Sequence, residues 1–183
     1  MLTSINPLGQ RARNQRWGLT VALYTVASVA GGITTGAVLG GLGALLPVPS
    51  WSAALVVLLS GALDLLGRVP TGHRQVDEDW LTRYRAWVYA TGFGWQLGTG
   101  VVTIVTSAAT YAWLALLLLA GLPQALLVGG CFGLVRALPL LAGRVADTPE
   151  RLRLTARRLE SGRPWAQRLT PMVLLASGLV LGT

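Results

Sequence analysis

The chain has no lysine, one cysteine, one histidine and only seven acidic residues among its 183. Without lysine there is no P-loop and no Schiff-base chemistry, because each depends on that side chain. Cys131 stands alone in an apolar stretch, which excludes an intrachain disulfide, a CxxC redox pair and a thiolate metal cluster. His73 lies in a polar stretch, so no Ser/His/Asp or Cys/His arrangement is expected, and the chain does not read as an enzyme. Together with Asp77 and Asp79, His73 reads as a solvated loop rather than a metal site. Gly92-x-Gly94 followed by Gly98 has the wrong spacing for a dinucleotide fingerprint and no strand before it. No cofactor is expected.

What the chain has in quantity is hydrocarbon. Apolar residues make up 52% and charged residues 12%, and the mean hydropathy is +0.56. The net charge is +8, and all fifteen basic residues are arginine. In a soluble protein that excess would suggest nucleic acid. Here the arginines alternate with long apolar runs, so membrane topology is the better explanation and no nucleic-acid partner is expected.

The runs point to an all-α, polytopic helical membrane protein forming a single integral membrane domain over 1–183. About five transmembrane helices are expected, near 17–46, 51–67, 99–120, 124–142 and 166–182, with interfacial helices near 77–91 and 149–161. The first run is too long for a signal h-region and reads as a retained signal-anchor. Asp77, Glu78 and Asp79 suit the positive end of a helix dipole, and Trp80, Tyr84, Trp87 and Val88 share one face after them. Gly92, Gly94, Gly98 and Gly100 mark an expected break before the third span. Thr148 reads as an N-cap with Pro149 at the first helical position, and Gly162 as the end of that basic helix. Fourteen of the fifteen arginines fall in the N-terminal arm, in 68–85 and in 144–168, whereas the turns at 47–50 and 121–123 carry no charge. The positive-inside rule then places the N-terminus in the cytoplasm of a multi-pass protein of the cell (cytoplasmic) membrane, with the lipid bilayer as its first partner.

Three groups of residues bear on function. Ser28, Gly32, Gly36, Gly40 and Ala44 recur every fourth place, and the spacing returns at Gly94/Gly98 and Gly129/Gly133. Lipid gives helices no hydrophobic drive to associate, so small residues that admit close backbone approach are the expected contact face. That face serves packing within the chain or, on a second reading, a homo-oligomer or a heteromeric membrane complex. Arg136 is the only arginine inside a span, and Asp64 lies in the second span at a compatible depth, so the two are expected to pair. They read either as a packing anchor or as part of a substrate path. Thr99, Thr103, Thr106 and Thr110 follow 4, 3, 4 spacing with Gln96 nearby, and line either a polar cavity or only their own helix, bonding back to i−4 carbonyls.

Two stretches carry a family resemblance. Gly130 to Pro139, a glycine-rich helix leading to Leu138-Pro139, is similar to the second helix of a repeat in the cytochrome c biogenesis/DsbD-like transmembrane family. Gly92 to Thr106, a glycine-rich entry to a polar helix, resembles the first helix of that repeat. Residues 11–43 and 51–67 then resemble the second and third helices of an earlier repeat, whose leading helix has no counterpart here. The resemblance implies transfer of a reductant or small solute across the membrane. The family's cysteine pair is absent: threonines occupy 99–106 where a cysteine is needed, and Cys131 falls in another helix. Dithiol exchange is therefore not carried over. The expected function is transporter-like, and the second reading is a non-catalytic membrane subunit that assembles with partners through its glycine-rich helix faces.

Overall fold

Glycine decides how closely the helices of this chain approach one another. The computed structural model describes residues 7–46, 49, 51–67, 80–100, 107–145 and 148–182, and all their regular structure is helical. The elements are α1 (Pro7–Ala12), α2 (Trp17–Leu45), α3 (Trp51–Leu65), α4 (Trp80–Arg83), α5 (Ala86–Thr99), α6 (Ala109–Leu119), α7 (Leu122–Ala142), a 3-10 turn (Gly143–Val145) and α8 (Pro149–Gly182). The all-α expectation holds. Two of these helices, α2 and α7, are long and apolar enough to cross a bilayer, whereas α3 and α6 are apolar but shorter.

α2 is the central element and packs most extensively on α7 and α5. Its buried side consists of small residues: Ser28, Gly31, Gly32, Thr35, Gly36 and Gly40. A Cβ at Gly32 would collide with the carbonyl oxygen of Gly129, one at Gly36 with that of Ala125, and one at Gly133 with that of Ser28. α7 therefore runs antiparallel to α2, backbone against backbone. On another side of α2, a Cβ at Gly94 would strike the Tyr24 carbonyl and one at Gly98 that of Ser28, so α5 runs parallel to α2 at equally close range. The Ser28 hydroxyl ties α2 to α7 by donating to Gly133 O at 2.7 Å. A second pair, α3 and α8, is antiparallel: Gly61 faces Leu174 and Leu175, and Gly178 faces Leu58. This pair leans on the rest through α6.

The large apolar side chains point the other way. Leu19, Val26, Ile33, Val38 and Leu42 on α2, and Leu127, Leu134, Val135 and Leu138 on α7, are exposed, with Val26 at 68% and Leu127 at 71%. Along the contacts of α2 with α5 and α7 the buried side is thus mostly glycine, serine and threonine, while larger side chains are buried to either side of that seam, Tyr24, Tyr89, Phe93 and Leu140 in one cluster and Trp113 and Leu117 in another.

Several expected boundaries are corrected. Of the span expected over 99–120, Thr99 closes one helix and Ala109–Leu119 forms another, with 101–106 outside the described residues. α5 stays helical through Gly92, Gly94 and Gly98, because Gly94 and Gly98 are the surface it lays on α2 and Gly92 makes room for Trp80. It ends at Thr99, where Gly100 takes the left-handed conformation (φ 71°) and its N–H bonds Leu97 O at 3.2 Å. α6 begins only at Ala109. The helix expected over 77–91 is divided at Tyr84 and Arg85, the latter extended (ψ 155°), and residues 77–79 lie outside the described ones. Its aromatic face is kept only in part, with Trp80 meeting Tyr84 edge to face at 5.4 Å. Trp80 stacks on Phe93 at 5.8 Å and fills the space beside Gly92, while Trp87 is 58% exposed. The helices expected over 149–161 and 166–182 form one continuous helix, α8, which Thr148 caps by accepting from the Arg151 N–H at 3.3 Å. A glycine at 162 weakens a helix by only about 1 kcal/mol relative to alanine, less than is needed to end one with helix formers on both sides.

The backbone contact predicts opposite signs for the same substitution on one helix. Gly32→Ala forces a methyl into the Gly129 carbonyl and should lower stability by about 1–3 kcal/mol. A Cβ at Gly41 meets nothing within 4 Å, so Gly41→Ala should raise it by about 0.5–1 kcal/mol. Thermal unfolding followed by far-ultraviolet circular dichroism checks both. Equal effects would contradict the packing.

Candidate functional site

α5 and α6 follow one another along α2. α5 covers it from Val21 to Thr35, and α6 continues past Leu39 to Gly43, where a Cβ would strike Leu118 O. The interruption falls between them, about midway along α2. An ended helix leaves its last carbonyls and first N–H groups without intrahelical partners. At the α5 end, the Thr35 hydroxyl is shared between Thr99 O at 3.1 Å and its own Gly31 O at 3.2 Å. At the α6 end the partner is Asp64 of α3. Its carboxylate accepts from Ala108 N–H at 2.7 Å and from the Ser107 hydroxyl at 2.7 Å, and Ser107 Oγ in turn accepts from Ala109 N–H at 3.1 Å. A carboxylate at this position meets the positive end of the α6 dipole and makes short, charge-assisted hydrogen bonds. Asp64 lies roughly 20 Å along α3 from Trp51, at 1.5 Å per residue.

The expected site residues are divided by this geometry. Asp64 and Thr110 stand at the start of α6, the latter half-buried. Gln96 and Thr99 stand at the end of α5, where the Thr99 hydroxyl turns back to Gln96 O at 2.8 Å. Thr103 and Thr106 lie outside the described residues, as do His73, Asp77 and Asp79. Thr99 and Thr110 belong to two helices, so they do not share the face of one. The expected pairing of Asp64 with Arg136 is also corrected. Asp64 is engaged by α6, and Arg136 lies on α7 with its Cζ 5.4 Å from the Phe132 ring centroid. Phe132 stacks on Trp113 (3.7 Å between centroids, 13° between planes), and a Cβ at Gly100 would lie 2.9 Å from Trp113 and 3.0 Å from Phe132. The small residues Ser28, Gly32, Gly36, Gly40, Gly129 and Gly133 all face helices of the same chain, or in the case of Ser28 bond to one.

Above Thr99, a cleft of about 500 Å³ opens between α2 and α6, lined by Thr34, Thr35, Val38, Leu39, Trp95, Thr99, Leu114, Ala115 and Leu118. A separate polar cluster sits at the arginine-bearing end of α2. Gln10 of α1 and Tyr89 of α5 are fully buried. The Tyr89 hydroxyl accepts from Gln10 Nε2 at 2.7 Å and lies 2.6 Å from Gln15 Oε1, to which it donates, while Thr20 Oγ1 is 3.2 Å from Gln10 Oε1. Sequence reasoning missed this cluster and the Trp113–Phe132 pair, and it counted Ser107 among the polar residues of the third span without linking it to Asp64. Their partners are far apart in sequence and no periodicity links them. Among the described residues no group of three or more His, Cys, Asp or Glu could hold a metal.

Comparison with protein-family models, with curated proteins and with solved structures finds no match to this chain.

Asp64→Ala removes the acceptor at the start of α6, a loss of the order of 1–2 kcal/mol for a helix cap, so amide exchange at Ala108 should accelerate about tenfold by mass-resolved hydrogen exchange. Unchanged protection there would rule out the cap. Tyr89→Phe strands buried Gln10, at about 1–3 kcal/mol, so trypsin should cut at Arg11, Arg13 and Arg16 several-fold faster than in the parent protein.

Proposed function

We propose that this is a multi-pass protein of the cytoplasmic membrane that passes a small solute through the interruption between α5 and α6. Three features support the membrane reading. The exterior of α2 and α7 is leucine and valine while the interior is glycine, serine and threonine, the arrangement expected where lipid is the solvent. The chain can make five passes as α2, α3, α5 continued by α6, α7, and the apolar half of α8. The arginines of the N-terminal arm, Arg83, Arg85, Arg144 and those of the first half of α8 then share one side, with exposed side chains at Arg11, Arg13, Arg144, Arg153 and Arg157.

The observation that carries the transfer reading is Asp64 bonded to the start of α6. Interrupted helices within a bilayer leave backbone dipoles facing one another, and such pairs of half-helices are a recurring way to build solute and ion sites at mid-membrane depth. An ionisable residue there is costly, and its default reading is functional. In this arrangement Asp64 and Ser107 form the polar floor, the α5 carbonyls supply the opposing negative end, and the Thr99 and Gln96 backbone closes the side. The reading uses no thiol chemistry, because Cys131 is a single, exposed cysteine on the outer face of α7. The second reading, a non-transporting subunit, relied on a free glycine face; the glycines of α2 and α7 already face one another.

Two measurements test this. In a Cys131→Ser background, single cysteines at Arg13 and Arg153 should label from one side of sealed vesicles and a cysteine at Gly121 from the other. Labelling of 13 and 153 from opposite sides would overturn the topology. On solid-supported membranes, concentration jumps across a panel of small organic anions and cations should give a current that Asp64→Asn reduces at least tenfold and Gly41→Ala preserves. Currents equal in the parent protein and in Asp64→Asn would exclude the interruption as the route.

A further inference from the structure

The cleft beside the interruption is built for hydrocarbon. Nine residues line it, and three of them are threonines, yet each hydroxyl gives its proton to a backbone carbonyl. Thr34 donates to Ala30 O at 2.8 Å, Thr35 is shared between Gly31 O and Thr99 O, and Thr99 donates to Gln96 O. A hydroxyl that bonds back to its own helix leaves its methyl and its hydroxyl oxygen at the surface. Val38, Leu39, Trp95, Leu114, Ala115 and Leu118 supply the remaining wall, so an occupant finds almost only hydrocarbon. At about 500 Å³ the cleft falls within the roughly 300–1,000 Å³ typical of small-molecule sites. Its back is closed by buried Thr35 and Thr99, while Thr34, Val38 and Trp95 are exposed at its mouth. The mouth therefore opens on the flank of the molecule, on the same exterior that carries Ile33 and Leu42.

We propose that this cleft holds one hydrocarbon chain of a membrane lipid, entering sideways from the bilayer past Trp95 and lying between α2 and α6 with its end against Thr35 and Thr99. The proposal rests on the membrane reading but not on transport. A polar solute filling the cleft is disfavoured, since it would lose its water and gain few partners.

The test uses the protein reconstituted in dioleoyl phosphatidylcholine vesicles containing increasing fractions of a phosphatidylcholine with dibrominated stearoyl chains. Bromine quenches tryptophan on contact, and the Trp95 signal is obtained by difference from Trp95→Phe. The Trp95 component should be quenched along a saturating curve, reaching half its effect at a bromolipid fraction at least threefold lower than that needed for Trp165. Filling the cleft from either wall, by Ala115→Phe or by Val38→Phe, should abolish the saturating component and leave Trp165 unchanged. A parallel titration with free dibromostearic acid identifies the source: saturation by the diacyl lipid alone assigns a phospholipid chain, and saturation by the free acid at lower fraction assigns a single-chain amphiphile. Quenching of Trp95 that is proportional to bromolipid and insensitive to both fillings overturns the proposal. Failure of the protein to float with the vesicles overturns the membrane reading instead.

Discussion

The rest of the structure depends on the contact of the α2 backbone with the backbones of α5 and α7. Where two helices meet carbonyl to Cα, as at Gly32 and Gly129 or Ser28 and Gly98, no side chain separates them, and dispersion over a long, close seam replaces the burial of large apolar groups. Serine and threonine fit such a seam because their hydroxyls reach a neighbouring carbonyl within one van der Waals layer, as Ser28 does at Gly133 and Thr35 at Thr99. Many leucines and valines of α2 and α7 are left to the outside, while Tyr24, Tyr89, Phe93, Trp113 and Leu117 are buried beside the seam rather than in it. One constraint thus explains both the small residues of the seam and the aliphatic side chains that face away from it.

The interruption follows from the same seam. α5 can lie on α2 only while its contact face is glycine, and the run of Gly94 and Gly98 ends at Gly100, which turns the chain out of the helix. α6 then resumes the contact along the upper part of α2. The carbonyls that close α5 and the N–H groups that open α6 need partners, and Thr35 of α2 supplies one at Thr99 while Asp64 of α3 supplies one at Ala108. The polar contacts of the candidate site are in that sense a by-product of packing: a carboxylate is drawn into the bundle because a helix starts there.

Much of the scaffold was legible in the residues. Hydrophobic runs located α2, α3 and α7, because a long apolar stretch bounded by Pro47 or by Gly121-Leu-Pro123 admits few other readings, and fourfold spacing picked out Ser28, Gly32, Gly36 and Gly40. The interruption was harder to place. Four glycines between 92 and 100 have the same intrinsic freedom, and only tertiary contact decides that three stay helical and the fourth turns. α8 shows the converse, since Gly162 and Pro164 look like a boundary by propensity and yet one helix runs through them. The site was legible in part. Asp64 stood out as a charge in an apolar run, but its true partners are a serine and a backbone N–H more than forty residues away, and hydrogen bonds to backbone leave no mark in the partner's sequence. A charge-pairing argument chose Arg136 because it was the nearest opposite charge by depth, whereas Arg136 stands over the ring of Phe132, one turn earlier on its own helix.

The most direct test of the seam is disulfide cross-linking in the intact protein. A Cβ at Gly40 would meet the side chain of Ala125 at 2.6 Å rather than a backbone carbonyl, and the Cβ atoms of a disulfide stand about 3.8 Å apart, so cysteines at these two places join once α2 and α7 part slightly. With Cys131→Ser as background, Gly40→Cys with Ala125→Cys should oxidise to a bond within a single chain. A bond that joins two chains, or none, would contradict the account.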